Sequence, residues 1–76
     1  MSDRKRVIYR IQWVNKTWRL QENSQDLQFF NTKAGAVSFG RTRAKSNKPS
    51  QLVVHKIDGK IKIEYTYGND PERYKG

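Results

Sequence analysis

Leu52-Val53-Val54-His55-Lys56-Ile57-Asp58-Gly59-Lys60-Ile61-Lys62-Ile63-Glu64-Tyr65-Thr66-Tyr67 is the stretch on which the fold turns. Two runs rich in β-branched and aromatic residues flank Asp58-Gly59, the dipeptide that a type I′ hairpin turn favours. A two-residue turn there sets Ile57 against Lys60, His55 against Lys62 and Val53 against Glu64. On the other side it sets Leu52 against Tyr65, Val54 against Ile63 and Lys56 against Ile61. This second set carries most of the apolar surface and is the expected core face, with Lys56 extending its stem from the hairpin tip.

Upstream, Val7, Tyr9, Ile11 and Trp13 alternate with Ile8, Arg10, Gln12 and Val14, and Trp18, Leu20 and Glu22 alternate with Thr17, Arg19 and Gln21. Such alternation marks strands with one buried face. A tight turn at Asn15-Lys16 places Trp13 opposite Trp18 and Ile11 opposite Leu20, so the apolar sets coincide and a second hairpin is expected. Asn23 to Asp26 is turn material, and Leu27 to Phe30 reads as an apolar connector closing over the core rather than a short edge strand.

Between the hairpins, Thr32 has the chemistry of a helix N-cap, and Lys33 to about Ser46 reads as a helix with an inward stripe of Ala36, Val37, Gly40 and Ala44. These small residues permit close approach to a sheet, leaving Trp13, Trp18 and Tyr65 to fill the core. Gly35 and Gly40 each weaken the helix by about 1 kcal/mol relative to Ala. Lys45 and Lys48 suit the negative end of the helix dipole, Asn47 suits a left-handed cap, and Pro49 prevents continuation. The expected architecture is α+β in the order ββαββ: two hairpins form a four-stranded, mainly antiparallel sheet with one helix on one face. Residues 1–6 form a flexible basic arm, 7–67 the single domain and 68–76 a polar tail.

One combination of motifs carries a family resemblance. Thr32-Lys33-Ala34-Gly35-Ala36-Val37, Arg41, Ala44-Lys45, the run from Leu52 to Ile61, and Tyr67-Gly68-Asn69-Asp70-Pro71 together resemble a small bacterial and phage family of unknown function. Its members share a Trp-containing opening strand, a TKAEA-type helix start, an LVVH-x-x-DGKI hairpin and a YGNDP tail. The resemblance spans roughly residues 7 to 72 and implies a shared fold unit, with no activity to transfer. The chain departs from the pattern at Gly35, where an acidic residue is usual, and at Gly40, where Ala is usual.

Composition narrows the function. The chain has 76 residues, 16 Lys and Arg against 7 Asp and Glu, a formal charge of +9 and no cysteine. A disulfide framework and a thiolate metal site are thereby excluded, and packing alone must hold the fold. No apolar run has the length of a membrane span and Met1 to Arg6 leads into a strand rather than a signal-peptide core, so a cytoplasmic protein without membrane contact is expected. One histidine and scattered carboxylates assemble no nucleophile, base and orienter, and offer no metal-ligand spacing. His55 reads as a solvated strand residue, and neither enzymatic activity nor a cofactor is expected.

The excess charge points instead to a polyanion. With the helix on the Trp13 and Trp18 face, the opposite sheet face is expected to display Arg10, Gln12, Arg19, Gln21, His55, Lys60 and Lys62. The expected nucleic-acid-binding set is Arg10, Arg19, Lys60 and Lys62, with the arm Arg4-Lys5-Arg6 reaching along the backbone and Arg41 and Arg43 on the helix as an alternative docking element, flanked by Lys45. Low sequence specificity follows from the shortage of side chains suited to base edges. Ile8, Val14, Val53 and Ile57 share the outer face with these cations, while Phe39 lies to the side of the helix stripe. An apolar patch with a basic rim supports the alternative of an acidic protein partner or a self-dimer, as in a phage or host regulatory protein. Asn69 and Asp70 read as turn residues of the tail.

Overall fold

The computed structural model describes residues 6–68. Five strands and one helix follow in the order β1 (Val7–Val14), β2 (Thr17–Glu22), β3 (Gln25–Phe30), α1 (Lys33–Ser46), β4 (Ser50–His55) and β5 (Ile61–Tyr67). The fold is α+β with one helix, but the sheet has five strands rather than four, ordered β3-β2-β1-β4-β5. It is mixed, because β1 and β4 pair in parallel, Tyr9 beside Leu52 and Ile11 beside Val54. The chain meanders through β1, β2 and β3, crosses one face as α1 and lands β4 on the free edge of β1, a crossover that parallel neighbours require.

The first hairpin has the expected register, Trp13 opposite Trp18 and Ile11 opposite Leu20. Asn15 and Lys16 both take positive φ, 51° and 65°, which closes it as a two-residue turn of the primed kind. Asn23 and Ser24 repeat this geometry at 50° and 72° and start β3. The segment read as a connector is therefore an edge strand, with Trp18 opposite Phe30 and Glu22 opposite Gln25. A bulge between Leu20 and Gln21 leaves Leu27 as an extra residue on β3. That extra residue breaks the two-residue alternation by which a strand is recognised.

The second hairpin keeps Leu52–Tyr65, Val53–Glu64 and Val54–Ile63 but then shifts, so that His55 pairs with Ile61 and not Lys62. Only Gly59 has positive φ, 94°, so Asp58-Gly59 does not form a type I′ turn. Instead the Gly59 N–H donates to the Lys56 carbonyl at 2.9 Å and the Lys56 N–H to the Lys60 carbonyl at 2.7 Å, closing a three-residue loop with Gly59 in the left-handed position. Asp58 contributes its carboxylate, which accepts from the Lys60 N–H at 3.0 Å.

Tyr9, Ile11, Trp18, Leu20, Leu52 and Val54 from the central strands pack against Ala36 and Ala44 of α1. Trp13 packs against Trp18 in a tilted arrangement with ring centroids 5.0 Å apart, and Phe39 is partly buried against Phe30 at 5.4 Å. The predicted cap holds at the helix start, where Thr32 accepts from the Gly35 N–H at 3.0 Å. At the other end Asn47 is not left-handed, with φ −129°. Its side-chain amide instead donates to the Arg43 carbonyl at 2.9 Å and to the Tyr9 hydroxyl at 3.1 Å, tying the helix end to the middle of the sheet. The buried Ser50 hydroxyl donates to the Ala44 carbonyl nearby.

Candidate functional site

The sheet face away from α1 is less open, and less freely cationic, than the sequence suggests. Arg10 approaches the His55 Nε2 through Nη1 at 3.3 Å. His55 is 7% exposed, and its Nδ1 lies 2.9 Å from the Gly59 carbonyl. A carbonyl only accepts and a guanidinium only donates, so these partners assign the neutral tautomer with the proton on Nδ1. His55 is thus a buried clasp for the hairpin loop and not a solvated strand residue. Arg19 donates through Nη2 to Gln12 at 2.8 Å and faces Asp26 through Nε at 3.6 Å. Gln21 donates to Asp26 at 3.0 Å and Gln51 to Glu64 at 2.7 Å, so carboxylates stand among the arginines.

The apolar patch expected on that face does not form. Val53 is 4% exposed and Ile8 and Val14 are half-buried. Among the described residues the exposed large apolar side chains are Phe29 on β3, Ile57 at the hairpin tip, and Ile61 and Ile63 on the edge strand β5. Two of these four lie on β5, which moves attention to that side of the molecule.

There, α1 and β5 enclose a groove whose floor is Ala34, Val37, Val54, Ile63 and Tyr65 and whose rim carries Lys33, Arg41, Lys45 and Lys62. Lys33, Val37, Arg41 and Lys45 recur every four residues, so one helix face delivers three cations and part of the floor. The shift at His55 carries Lys62 away from its expected place beside the histidine and into this groove. Among the described residues no carboxylate lines it. Burial and the adjacent Lys62, with Lys56 beyond, lower the Lys33 ammonium below the usual lysine value. Burial is the larger cause, and the like-charge part places the Lys33 and Lys62 ammonium groups close to each other. Lys33 also rests 5.4 Å above the Trp18 ring. Arg41 lies 4.7 Å over the Tyr65 ring and donates through Nε to the Tyr67 hydroxyl at 3.1 Å, contacts that keep it charged and pinned beside the floor.

Of the nine cations expected at a nucleic-acid site, the seven that fall in the described residues are spread over the molecule. Arg4 and Lys5 lie outside the described residues, as do Asn69 to Gly76. Arg6 donates to the Ser50 carbonyl at 3.4 Å, Arg10 and Arg19 are engaged as above, Arg43 meets Glu22 at 3.4 Å, and Lys60 lies at the hairpin loop. Only Arg41 and Lys62 come together, joined by Lys33, which sequence reasoning missed, and Lys45. The signal for Lys33 was its four-residue spacing to Val37 and eight to Arg41. Among the described residues no three His, Cys, Asp or Glu side chains converge as a metal site requires, and no helix is long and apolar enough to cross a membrane.

The profile of a family described as "Uncharacterized protein conserved in bacteria" (DUF2188) matches residues 9–67. No curated protein and no solved structure matches the chain. The matched span runs from Tyr9 in the central strand to Tyr67 at the end of β5, and so takes in the whole groove.

Proposed function

This chain belongs to that bacterial family of uncharacterized proteins, and we propose that it is a non-enzymatic nucleic-acid-binding protein that holds the phosphate backbone in the groove between α1 and β5. The observation that carries the reading is the meeting of Lys33, Arg41, Lys45 and Lys62 on one rim, with no carboxylate among the described residues that line it. Crowded like charges raise the energy of the free protein, and a polyanion relieves that cost while releasing its own counterions. Arg10 and Arg19, already hydrogen-bonded within the sheet, contribute to the general field more than to direct contact. The basic residues Arg4 to Arg6 add charge next to the fold in sequence.

The test is an anisotropy titration of labelled DNA and RNA at about 50 mM and 200 mM salt, where phosphate contacts are expected to lose affinity steeply as salt rises. Lys33→Glu combined with Lys62→Glu should abolish most binding and flatten the salt slope, whereas Arg10→Gln combined with Arg19→Gln should reduce affinity only a few-fold. Absence of binding at the lower salt would refute the proposal. So would equal losses in the two double variants, because they would place the contact outside the groove.

A further inference from the structure

We infer that the groove between α1 and β5 takes single-stranded nucleic acid in preference to a duplex, with phosphates on the cationic rim and unstacked bases on the apolar floor. The inference rests on the nucleic-acid reading above and narrows it to one class of ligand.

A duplex offers a protein its phosphates and groove edges, while its base faces are stacked inside the helix. A purely phosphate-directed site needs only cations. Here the cations border apolar surface: Val37 and Tyr65 are half-buried and Ile63 is 42% exposed. An isoleucine left this open on a sheet, beside like-charged lysines, is the kind of surface that a flat aromatic base covers. Base stacking on protein surfaces is tolerant of sequence because every base has a π face. Arg41 adds a second planar element, since its guanidinium already lies over Tyr65 and guanidinium planes accept bases as rings do.

The position of the groove at the sheet edge strengthens the choice. Among the described residues β5 has β4 on one side and no strand on the other, so it is an edge strand whose outer backbone N–H and C=O groups are not paired within the described sheet. Splayed bases carry donors and acceptors that can meet them, which a duplex backbone cannot. The same edge is poorly suited to a second copy of this chain, because pairing β5 with β5 would press two Lys62 and Lys33 clusters together. Charge complementarity therefore selects a polyanion, and the apolar floor selects one whose bases are free.

Anisotropy at a single intermediate salt concentration distinguishes the alternatives, using the full chain with an oligothymidylate of about 20 nucleotides, a duplex of the same length and a poly-glutamate peptide. Stacking of even one base is worth about 1–3 kcal/mol, so the single strand is expected to bind about 5- to 150-fold tighter than the duplex. Ile63→Ala, at an exposed position and with its fold checked by circular dichroism, should cost the single strand several-fold and leave duplex binding unchanged. Equal affinity for both nucleic acids, or equal effects of Ile63→Ala on both, overturns the single-strand inference and leaves the nucleic-acid reading standing. Tighter binding of the peptide, or a dimer in sedimentation that survives high salt, overturns it in favour of a protein partner. Binding to neither nucleic acid removes both readings together.

Discussion

Single side chains in this protein carry more than one structural duty. His55 shows this most clearly: set across the expected hairpin from Lys62 with Glu64 diagonal to it, it reads as solvated, yet it is buried and spans the loop to the Gly59 carbonyl at 2.9 Å. The four-residue spacing in His55-Lys56-Ile57-Asp58-Gly59 gives the LVVH-x-x-DGKI motif a physical sense, since its histidine and glycine are hydrogen-bonded to each other. That contact was illegible because it depends on the loop type, and Asp58-Gly59 serves a three-residue loop as readily as a two-residue one. Tyr9 offers a direct test at the same scale. It is fully buried, and burial together with the Glu22 charge raises its phenol above the usual tyrosine value. The folded state then holds this proton more tightly than the unfolded chain does. Its contribution to stability is complete below about pH 10 and is lost as pH rises from the unfolded value through the folded one. Tyr9→Phe should cost about 1 kcal/mol at neutral pH through the lost Asn47 hydrogen bond, and should flatten the alkaline fall in urea-melt stability. An unchanged alkaline slope in the variant would contradict this account of Tyr9.

At the scale of elements, the alternating strands and the N-cap were legible because their determinants are local. Trp13 opposite Trp18, the Thr32 cap and the buried stripe Ala36, Gly40 and Ala44 all follow from short-range spacing. β3 was not, because the extra residue Leu27 disrupts its period, and neither was the parallel pairing of β1 with β4, which joins residues more than forty positions apart as at Ile11 and Val54. Close packing of α1 on the sheet is set at Gly40. A Cβ built there would lie 3.1 Å from one methyl of Leu52 and 3.4 Å from a methyl of Ile11. Gly40→Ala gains about 1 kcal/mol of helix propensity and loses a comparable amount to this crowding, so its urea midpoint should stay near the parent's. Gly40→Val asks for two more methyl groups in filled space and should destabilise by about 1–3 kcal/mol, read as a lower midpoint with unchanged slope. A valine variant as stable as the parent would show that the helix sits farther from the sheet.

For the molecule as a whole, the charge of +9 was the clearest sequence signal, and its location was the hardest thing to read. Strand alternation assigned its focus to the outer sheet face, with the N-terminal arm and a flank of the helix beside it. Internal hydrogen bonds engage Arg10 and Arg19 there, and the register shift at His55 moves Lys62 to the helix side. These are tertiary effects: which guanidinium finds a partner depends on strands brought together across the sheet. The helix cations Arg41 and Lys45 were legible as a docking element, whereas Lys33, one and two turns before Val37 and Arg41 on the same face, was not picked out. The central claim is that these residues, with β5, make the polyanion-binding surface. Its most direct measurement is an amide chemical-shift map of the full chain titrated with oligothymidylate. The account predicts that the largest shifts cluster at Lys33 to Lys45 and Ile61 to Tyr67, with Arg10, Gln12, Arg19 and Gln21 little changed. Shifts concentrated on those four outer-face residues, with the α1 and β5 amides unmoved, would contradict it.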